Sequence, residues 1–193
     1  MFVQFIEGTV SDAAGLRRQL ERWAEGSGDA TGWLGTTAGL TDDGTALIAA
    51  RFESADAARR NSERSEQSAW WSETEPLFEG GATFEDHEEV ATFRAGGSDD
   101  AGFVQVIRGE VSDVAAARAL FTEEMPDDGR PDVIGGLVGL TDAGAYTTVV
   151  YFTSEAEARE GERGDDDFAE RLQAIQATPP RFLDLRDPWF WSP

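Results

Sequence analysis

The stretch FVQFIEGTVSD at residues 2–12 returns as FVQVIRGEVSD at residues 103–113, and this repetition decides the fold. Eight of the eleven positions are identical. Two further stretches recur in the same order: GLTDDG at 39–44 as GLTDAG at 139–144, and FESADAAR at 52–59 as FTSEAEAR at 152–159. Because several stretches recur in one order, they indicate duplication of a whole unit rather than a chance motif.

The repeats predict two domains, residues 1–94 and 101–193, joined by the small, polar and glycine-rich segment AGGSDD at 95–100. Within each repeat the pattern predicts the element order βαββαβ. Ser11 or Asp12 is a good N-cap for the first helix, and TDDGT at 41–45 has the composition of a hairpin turn.

The second helix and the closing strand of each repeat carry the least regular patterns. In the first repeat we expect one long helix from Ser54 to about Phe78 and one closing strand, Ala82–Phe93. In the second repeat the closing strand is expected at Phe182–Phe190. Gly161, Gly164 and three aspartates interrupt the helical pattern there, so we expect a broken helix in this copy only.

A βαββαβ unit forms a four-stranded antiparallel sheet with both helices on one face, which is the ferredoxin-like arrangement. Alternation puts Phe2 and Ile6 on one face of the first strand and Val3 and Phe5 on the other. Both faces are partly apolar, so both should be covered. The fold class predicted is α+β, with two ferredoxin-like units forming a barrel within one chain and each sheet hiding the second face of the other.

This order of elements, together with RFESADAARRN at 51–61, resembles the dimeric α/β-barrel superfamily and its antibiotic-biosynthesis-monooxygenase-like group. Members of that family usually pair two separate chains, whereas here the pair would be internal, in a monomeric chain or a weak homodimer. The resemblance implies a ligand cavity between sheet and helices or inside the barrel, and catalysis with no cofactor. The function it implies is cofactor-independent oxygenation of a planar, largely apolar or aromatic molecule. The alternative is a non-catalytic ligand-binding or interaction module.

The composition excludes several classes of protein. A net charge of −22 opposes binding to nucleic acid or anionic membranes, and no apolar stretch approaches the about 20 residues of a membrane span. The first strand begins at Phe2, which leaves no room for a targeting segment, so a cytoplasmic location is expected. No cysteine and no metal-ligand spacing is present, so no metal site is expected. The acidity indicates solubility with a bias for arginine over lysine, or alternatively an acidic docking surface or adaptation to salt.

The least ordinary stretch is RRNSERSEQSAWWSE at 59–73, within the predicted long helix. Helical spacing would bring Arg64, Gln67 and Trp71 onto one stripe. Since Trp70 and Trp71 cannot both point the same way, one should enter the core and the other should lie at a cleft or an interface. An indole beside Asn61 and these polar groups could stack on a planar ligand and bind its polar edge. The structural interpretation is a pair of core and rim tryptophans with ion pairs along the helix.

His87 and Gln4 are the other candidate site residues. As the only histidine, His87 is a candidate for proton transfer, beside Trp70 and Trp71 as weak catalytic candidates, but its acidic neighbours favour a solvated strand. Its counterpart in the second repeat is Leu185. Gln4 and its counterpart Gln105 lie in apolar strands, where a buried amide needs partners. The two amides either bond each other or line a cavity.

Haem-degrading relatives of this family use an Asn on the first strand, a Trp on the second helix and a His close behind it. Here Gln4 stands in place of the Asn, and His87 comes later than that pattern requires. Haem degradation is therefore not expected.

Overall fold

The computed structural model describes residues 1–26, 30–94, 96–123, 130–163 and 167–193. The strands are β1 Phe2–Thr9, β2 Trp33–Leu40, β3 Thr45–Phe52, β4 Thr83–His87, β5 Val90–Arg94, β6 Phe103–Glu110, β7 Val133–Leu140, β8 Ala145–Phe152, β9 Arg181–Leu185 and β10 Trp189–Trp191. The helices are α1 Ala13–Glu25, α2 Ala55–Ser62, α3 Ser65–Thr74, α4 Val114–Thr122, α5 Glu155–Gly161 and α6 Asp167–Ile175. The glycine and two of the aspartates expected to break the second repeat's helix, 164–166, lie outside the described residues.

Local chemistry accounts for the helix starts and hairpin turns. Asp12 caps α1, since its Oδ1 accepts a hydrogen bond from the Gly15 backbone N–H at 2.8 Å. Asp113 does the same for α4 through the Ala116 N–H at 2.9 Å. The turn between β2 and β3 closes through Gly44, whose φ of +82° is a conformation that glycine adopts without strain.

Two antiparallel five-stranded sheets form the framework, in the orders β10-β2-β3-β1-β4 and β5-β7-β8-β6-β9. The predicted α+β class is therefore confirmed. The chain forms two compact units: unit 1 contains Met1–Glu88 with Asp187–Pro193, and unit 2 contains Glu89–Arg186. These bounds differ from the repeat bounds 1–94 and 101–193 because each repeat contributes one short strand to the other unit's sheet.

The single closing strand predicted for each repeat is wrong, because it is two strands that pair in different sheets. In the first repeat, β4 pairs with β1 while β5 pairs with β7. In the second, β9 pairs with β6 while β10 pairs with β2. The exchanged strands cover the edges of β7 and β2, whose unpaired backbone groups would otherwise face solvent.

The long helix predicted for the first repeat is also wrong, since it is broken into α2 and α3. Arg64 separates them with an extended backbone, φ −71° and ψ 140°. The Ser62 hydroxyl donates to the Arg59 carbonyl at 2.8 Å, and such local bonds compete with helix propagation. The break thus occurs in both repeats. No helix among the described residues combines the length and apolar character needed to cross a membrane.

The core of unit 1 lies between its sheet and its helices. Ile6 and Ile48 of the sheet pack there with Leu16 and Leu20 of α1 and with Trp70 of α3. The opposite face of the sheet is buried as well: its residues include Val3 (0% exposed), Phe5 (1%), Leu47 (1%) and Ala49 (0%). The prediction that both faces are covered is confirmed.

Candidate functional site

An aromatic row runs through unit 1 from the core to the sheet edge, and we use this term for Trp33, Trp23, Trp70, Trp71 and Phe84. Neighbouring ring centroids are 5.0 Å apart for Trp33–Trp23 and 6.3 Å apart for Trp23–Trp70. They are 5.9 Å apart for Trp70–Trp71 and 5.1 Å apart for Trp71–Phe84. Such tilted and edge-on contacts are favourable geometries for aromatic pairs.

The inner part of the row is structural. Trp70 is 9% exposed, and its indole N–H donates to the Gln19 carbonyl at 2.7 Å. The indole N–H of Trp23 donates to Oε1 of Gln67 at 2.5 Å. Gln67, predicted to bind a ligand, therefore holds Trp23 in place.

The outer part of the row has the properties of a binding surface. Trp71 is half-buried, and among the described residues its indole N–H has no hydrogen-bond partner. Its neighbour Phe84, on the edge strand β4, is 51% exposed. The expectation that one tryptophan enters the core while the other lies at a cleft thus fits Trp70 and Trp71 respectively.

A polar pair lies beside this surface. The Nε2 of Gln4 donates to Oδ1 of Asp86 at 2.8 Å, and the two residues are register partners on β1 and β4. Asp86 and Phe84 point to the same face of β4, so they are about 7 Å apart along the strand. Gln105 in unit 2 likewise bonds Asp184 at 3.1 Å. Each glutamine is thus satisfied by the aspartate opposite it, which neither predicted arrangement anticipated.

Asn61 and Arg64 lie at the break between α2 and α3. Asn61 is 6% exposed, and its Oδ1 accepts from Nη1 of Arg64 at 3.3 Å. The break removes the single helical stripe on which Arg64, Gln67 and Trp71 were expected together. Asn61 is a buried amide that is hydrogen-bonded to Arg64, whereas Trp71 belongs to the aromatic row.

His87 lies on the other face of the sheet. It alternates with Phe84 and Asp86 along β4, so it is not brought together with Trp70 or Trp71. The expectation of a solvated His87 is wrong, because its side chain is 0% exposed and contacts Phe5 edge-on at 5.5 Å. Its Nε2 lies 2.6 Å from Oε1 of Glu85, and its Nδ1 has no hydrogen-bond partner within the described part of the chain.

The equivalent region of unit 2 is filled by ion pairs. Arg159 pairs with Asp184 and with Glu162, and its guanidinium lies 5.2 Å from the centre of the Phe103 ring. Arg171 of α6 pairs with Glu123 of α4 at 2.6 Å. The sequence of unit 2 contains no tryptophan, so unit 2 cannot form the row of indole rings found in unit 1.

A groove of about 270 Å³ lies beside α1. Its lining residues are Asp12, Gly15, Arg18, Gln19, Arg22 and Leu77. Within the described ranges no three His, Cys, Asp or Glu side chains are grouped as metal ligands would be.

Sequence reasoning missed Trp23, Phe84 and Asp86. The contact of Trp23 with Gln67 depends on how α1 and α3 pack, which no local pattern in the sequence specifies. The alternation in FEDHEE at 84–89 puts Phe84 and Asp86 on one face, but no local signal specifies that this strand pairs with β1.

No protein-family model and no curated protein matches the sequence. Solved structures do match it over almost its whole length. A candidate monooxygenase from Lactobacillus acidophilus superposes with a TM-score of 0.77 at 14% identity, covering 95% of this chain and 92% of that one. A second candidate monooxygenase, from Fusobacterium nucleatum, gives 0.77 at 10% identity, with coverages of 99% and 94%. The chain shares its ferredoxin-like fold with these two proteins.

The fold is thus the one that the resemblance in the sequence implies. An anthrone oxidase-like protein shares this fold, with a TM-score of 0.60 at 15% identity over 95% of this chain and 90% of that one. At such identities the likeness concerns the fold alone.

Proposed function

We propose that the protein binds a planar, largely apolar small molecule at the outer end of the aromatic row in unit 1, and that it oxygenates this molecule without a cofactor. The observation that carries the proposal is Trp71. Its ring is half-buried beside the half-exposed Phe84, and its N–H has no partner in the described part of the chain. An aromatic face with a free donor is suited to a flat ligand that has an oxygen at its edge.

The neighbouring polar pair supports an orientation for the ligand. Gln4 and Asp86 lie one register step from Phe84, on the same face of the sheet. A ligand stacked on Trp71 would present its polar edge to this pair. The Gln4–Asp86 hydrogen bond of 2.8 Å keeps both groups in fixed positions.

Unit 2 supports the assignment by contrast. The carboxylate equivalent to Asp86 is Asp184, which is engaged by Arg159, and Arg186 approaches it at 3.6 Å. The carboxylate equivalent to Asp86 is therefore already engaged in ion pairs, and displacing a paired ion is costly. The proposed site therefore exists once per chain.

The chemistry proposed here is supported by the fold and by the carboxylate of Asp86 beside Phe84. An electron-rich substrate with an acidic CH₂ group loses a proton, and the resulting carbanion reduces O₂. Loss of water then leaves a carbonyl, so that one oxygen atom enters the product and the other leaves as water. In this proposal Asp86 accepts the proton, while the indole of Trp71 supports the ring of the substrate. Two of the proteins that share this fold are candidate monooxygenases and one is anthrone oxidase-like.

A non-catalytic ligand-binding role is the second candidate. One observation favours it: His87 lies on the opposite sheet face from Trp71, which leaves carboxylates as the acid–base groups beside the proposed site. Oxygen consumption separates the two functions, because a binding module would hold the ligand without consuming O₂.

The test uses intrinsic fluorescence. All six tryptophans of the chain belong to unit 1, so quenching reports binding there. Anthrone-like and quinol compounds should quench the signal, and an oxygen electrode should record uptake with those that are substrates. The Phe84→Ala variant should bind about 2- to 13-fold more weakly, the equivalent of one aromatic contact of about 0.5–1.5 kcal/mol.

The matched control is Phe182→Ala. Phe182 is the counterpart of Phe84 in unit 2 and is 56% exposed, so its substitution should leave ligand binding unchanged. Quenching without oxygen uptake would leave the binding role alone, and no quenching by any compound would contradict both functions.

A further inference from the structure

On the sheet face opposite the aromatic row, Arg51 is a buried cation. It lies on β3 between its register partners Val3 and Gly35, and it is 8% exposed. Within the described part of the chain no carboxylate pairs with it, and its Nε is fully buried without a hydrogen-bond partner. Arginines elsewhere in this chain typically pair with acids, as Arg118 does with Glu89 at 2.6 Å.

A buried charge without a partner is unfavourable, and Nε is the atom of Arg51 that is fully buried with no partner among the described residues. The chain has 38 acidic residues, so a carboxylate partner could readily have been placed there. At the equivalent position the second repeat has Tyr151, which is neutral and 0% exposed. The sheet therefore does not need a cation at this register position.

The guanidinium of Arg51 lies close to Gly35 of β2. A Cβ atom on Gly35 would lie 2.5 Å from Nη2 of Arg51, so a larger residue there would require the guanidinium to shift. The same point is 3.0 Å from the Trp191 carbonyl oxygen and 3.3 Å from Oγ of Ser192. Nη2 of Arg51 and the hydroxyl of the exposed Ser192 thus lie around one point beside Gly35, where the hydroxyl offers a second donor.

We propose that Arg51 binds a small organic monocarboxylate, which enters beside Ser192 and is held by the guanidinium fork and the Ser192 hydroxyl. The planar fork matches a carboxylate in a bidentate arrangement. The net charge of −22 repels dianions more than monoanions, so a monocarboxylate is preferred to phosphate or sulfate. The site is separate from Trp71, because the two lie on opposite faces of the sheet, and it does not depend on the proposed function.

The experiment is a titration of the full chain, labelled with ¹⁵N, followed through the side-chain Nε–H signals of its arginines. Acetate, benzoate, phosphate and sulfate are compared at constant ionic strength against chloride. Acetate and benzoate should shift one buried Nε–H signal with a saturable curve, whereas phosphate should bind at least about 10-fold more weakly.

Two variants assign the site. Arg51→Tyr, which copies the second repeat, should lose the shifting signal and all carboxylate binding. Arg51→Lys keeps the charge but not the fork, and should weaken binding about 10-fold. Arg60→Gln removes an exposed arginine and should change nothing.

The proposal is overturned if no arginine signal responds to any carboxylate, or if Arg51→Tyr binds as the unmodified chain does. It is also overturned if phosphate binds more tightly than acetate. Should Arg51→Tyr fail to fold, the response of the unmodified chain and of Arg51→Lys decides the question.

Discussion

Replacing each of the adjacent tryptophans by alanine should separate the core from the binding surface. Trp70→Ala removes a ring that is 9% exposed, and substitutions of this kind cost about 3–5 kcal/mol in the free energy of unfolding. It also deprives the Gln19 carbonyl of its 2.7 Å hydrogen bond, which adds about 1 kcal/mol. We expect a total loss of about 4–6 kcal/mol.

Trp71→Ala should cost much less. The ring is half-buried and its N–H has no hydrogen bond to lose among the described residues, so we expect about half the burial cost, roughly 1.5–2.5 kcal/mol. The same variant should abolish the quenching by aromatic ligands that Trp70→Phe, a conservative control, retains.

Urea unfolding measures both losses with two probes. Tryptophan fluorescence follows unit 1 alone, while both tyrosines, Tyr146 and Tyr151, lie in unit 2. Far-ultraviolet circular dichroism follows the whole chain. The assignment of Trp70 to the core and Trp71 to the surface would be refuted if Trp71→Ala lost as much stability as Trp70→Ala, or if it still bound ligand normally.

Three further predictions concern single residues of the two units. His87→Leu, which copies Leu185 of the second repeat, should change the free energy of unfolding by no more than about 1 kcal/mol, because the loss of the 2.6 Å contact between Nε2 and Glu85 is offset by removal of a buried Nδ1 without a partner; a larger loss in urea unfolding would contradict this. Asp12→Ala should cost about 1 kcal/mol in the same assay, since it removes the side-chain cap of α1. The hydrogen bond from Arg130 holds the pKa of Asp132 below its ordinary value. The stability that this pair contributes is therefore fully present above about pH 3.9, which is the pKa of an aspartate in the unfolded chain. This stability is lost as the pH falls through the lower pKa of the folded state. Asp132→Asn should therefore be less stable than the unmodified chain at neutral pH, and acid titration of both proteins should show the difference vanishing at low pH.

The sequence by itself determined the features that depend on neighbours along the chain. The repeat of FVQFIEGTVSD established the duplication, and the alternation of Phe2, Val3, Phe5 and Ile6 gave two apolar sheet faces. Such signals are local, because a turn, a cap or a strand period is set within a few residues. The paired tryptophans were divided between core and cleft by the same reasoning.

The tertiary structure alone decided which distant segments meet. Whether β5 joins its own repeat or the other depends on which sheet edge is free to pair, and no periodicity within Ala82–Phe93 encodes that choice. The same holds for the site: Gln4 meets Asp86 and Trp23 meets Gln67 through strand register and helix packing. The prediction for His87 was wrong for the same reason. Its acidic neighbours in the sequence indicate an exposed strand, but the register of β4 puts His87 itself on the buried face of the sheet.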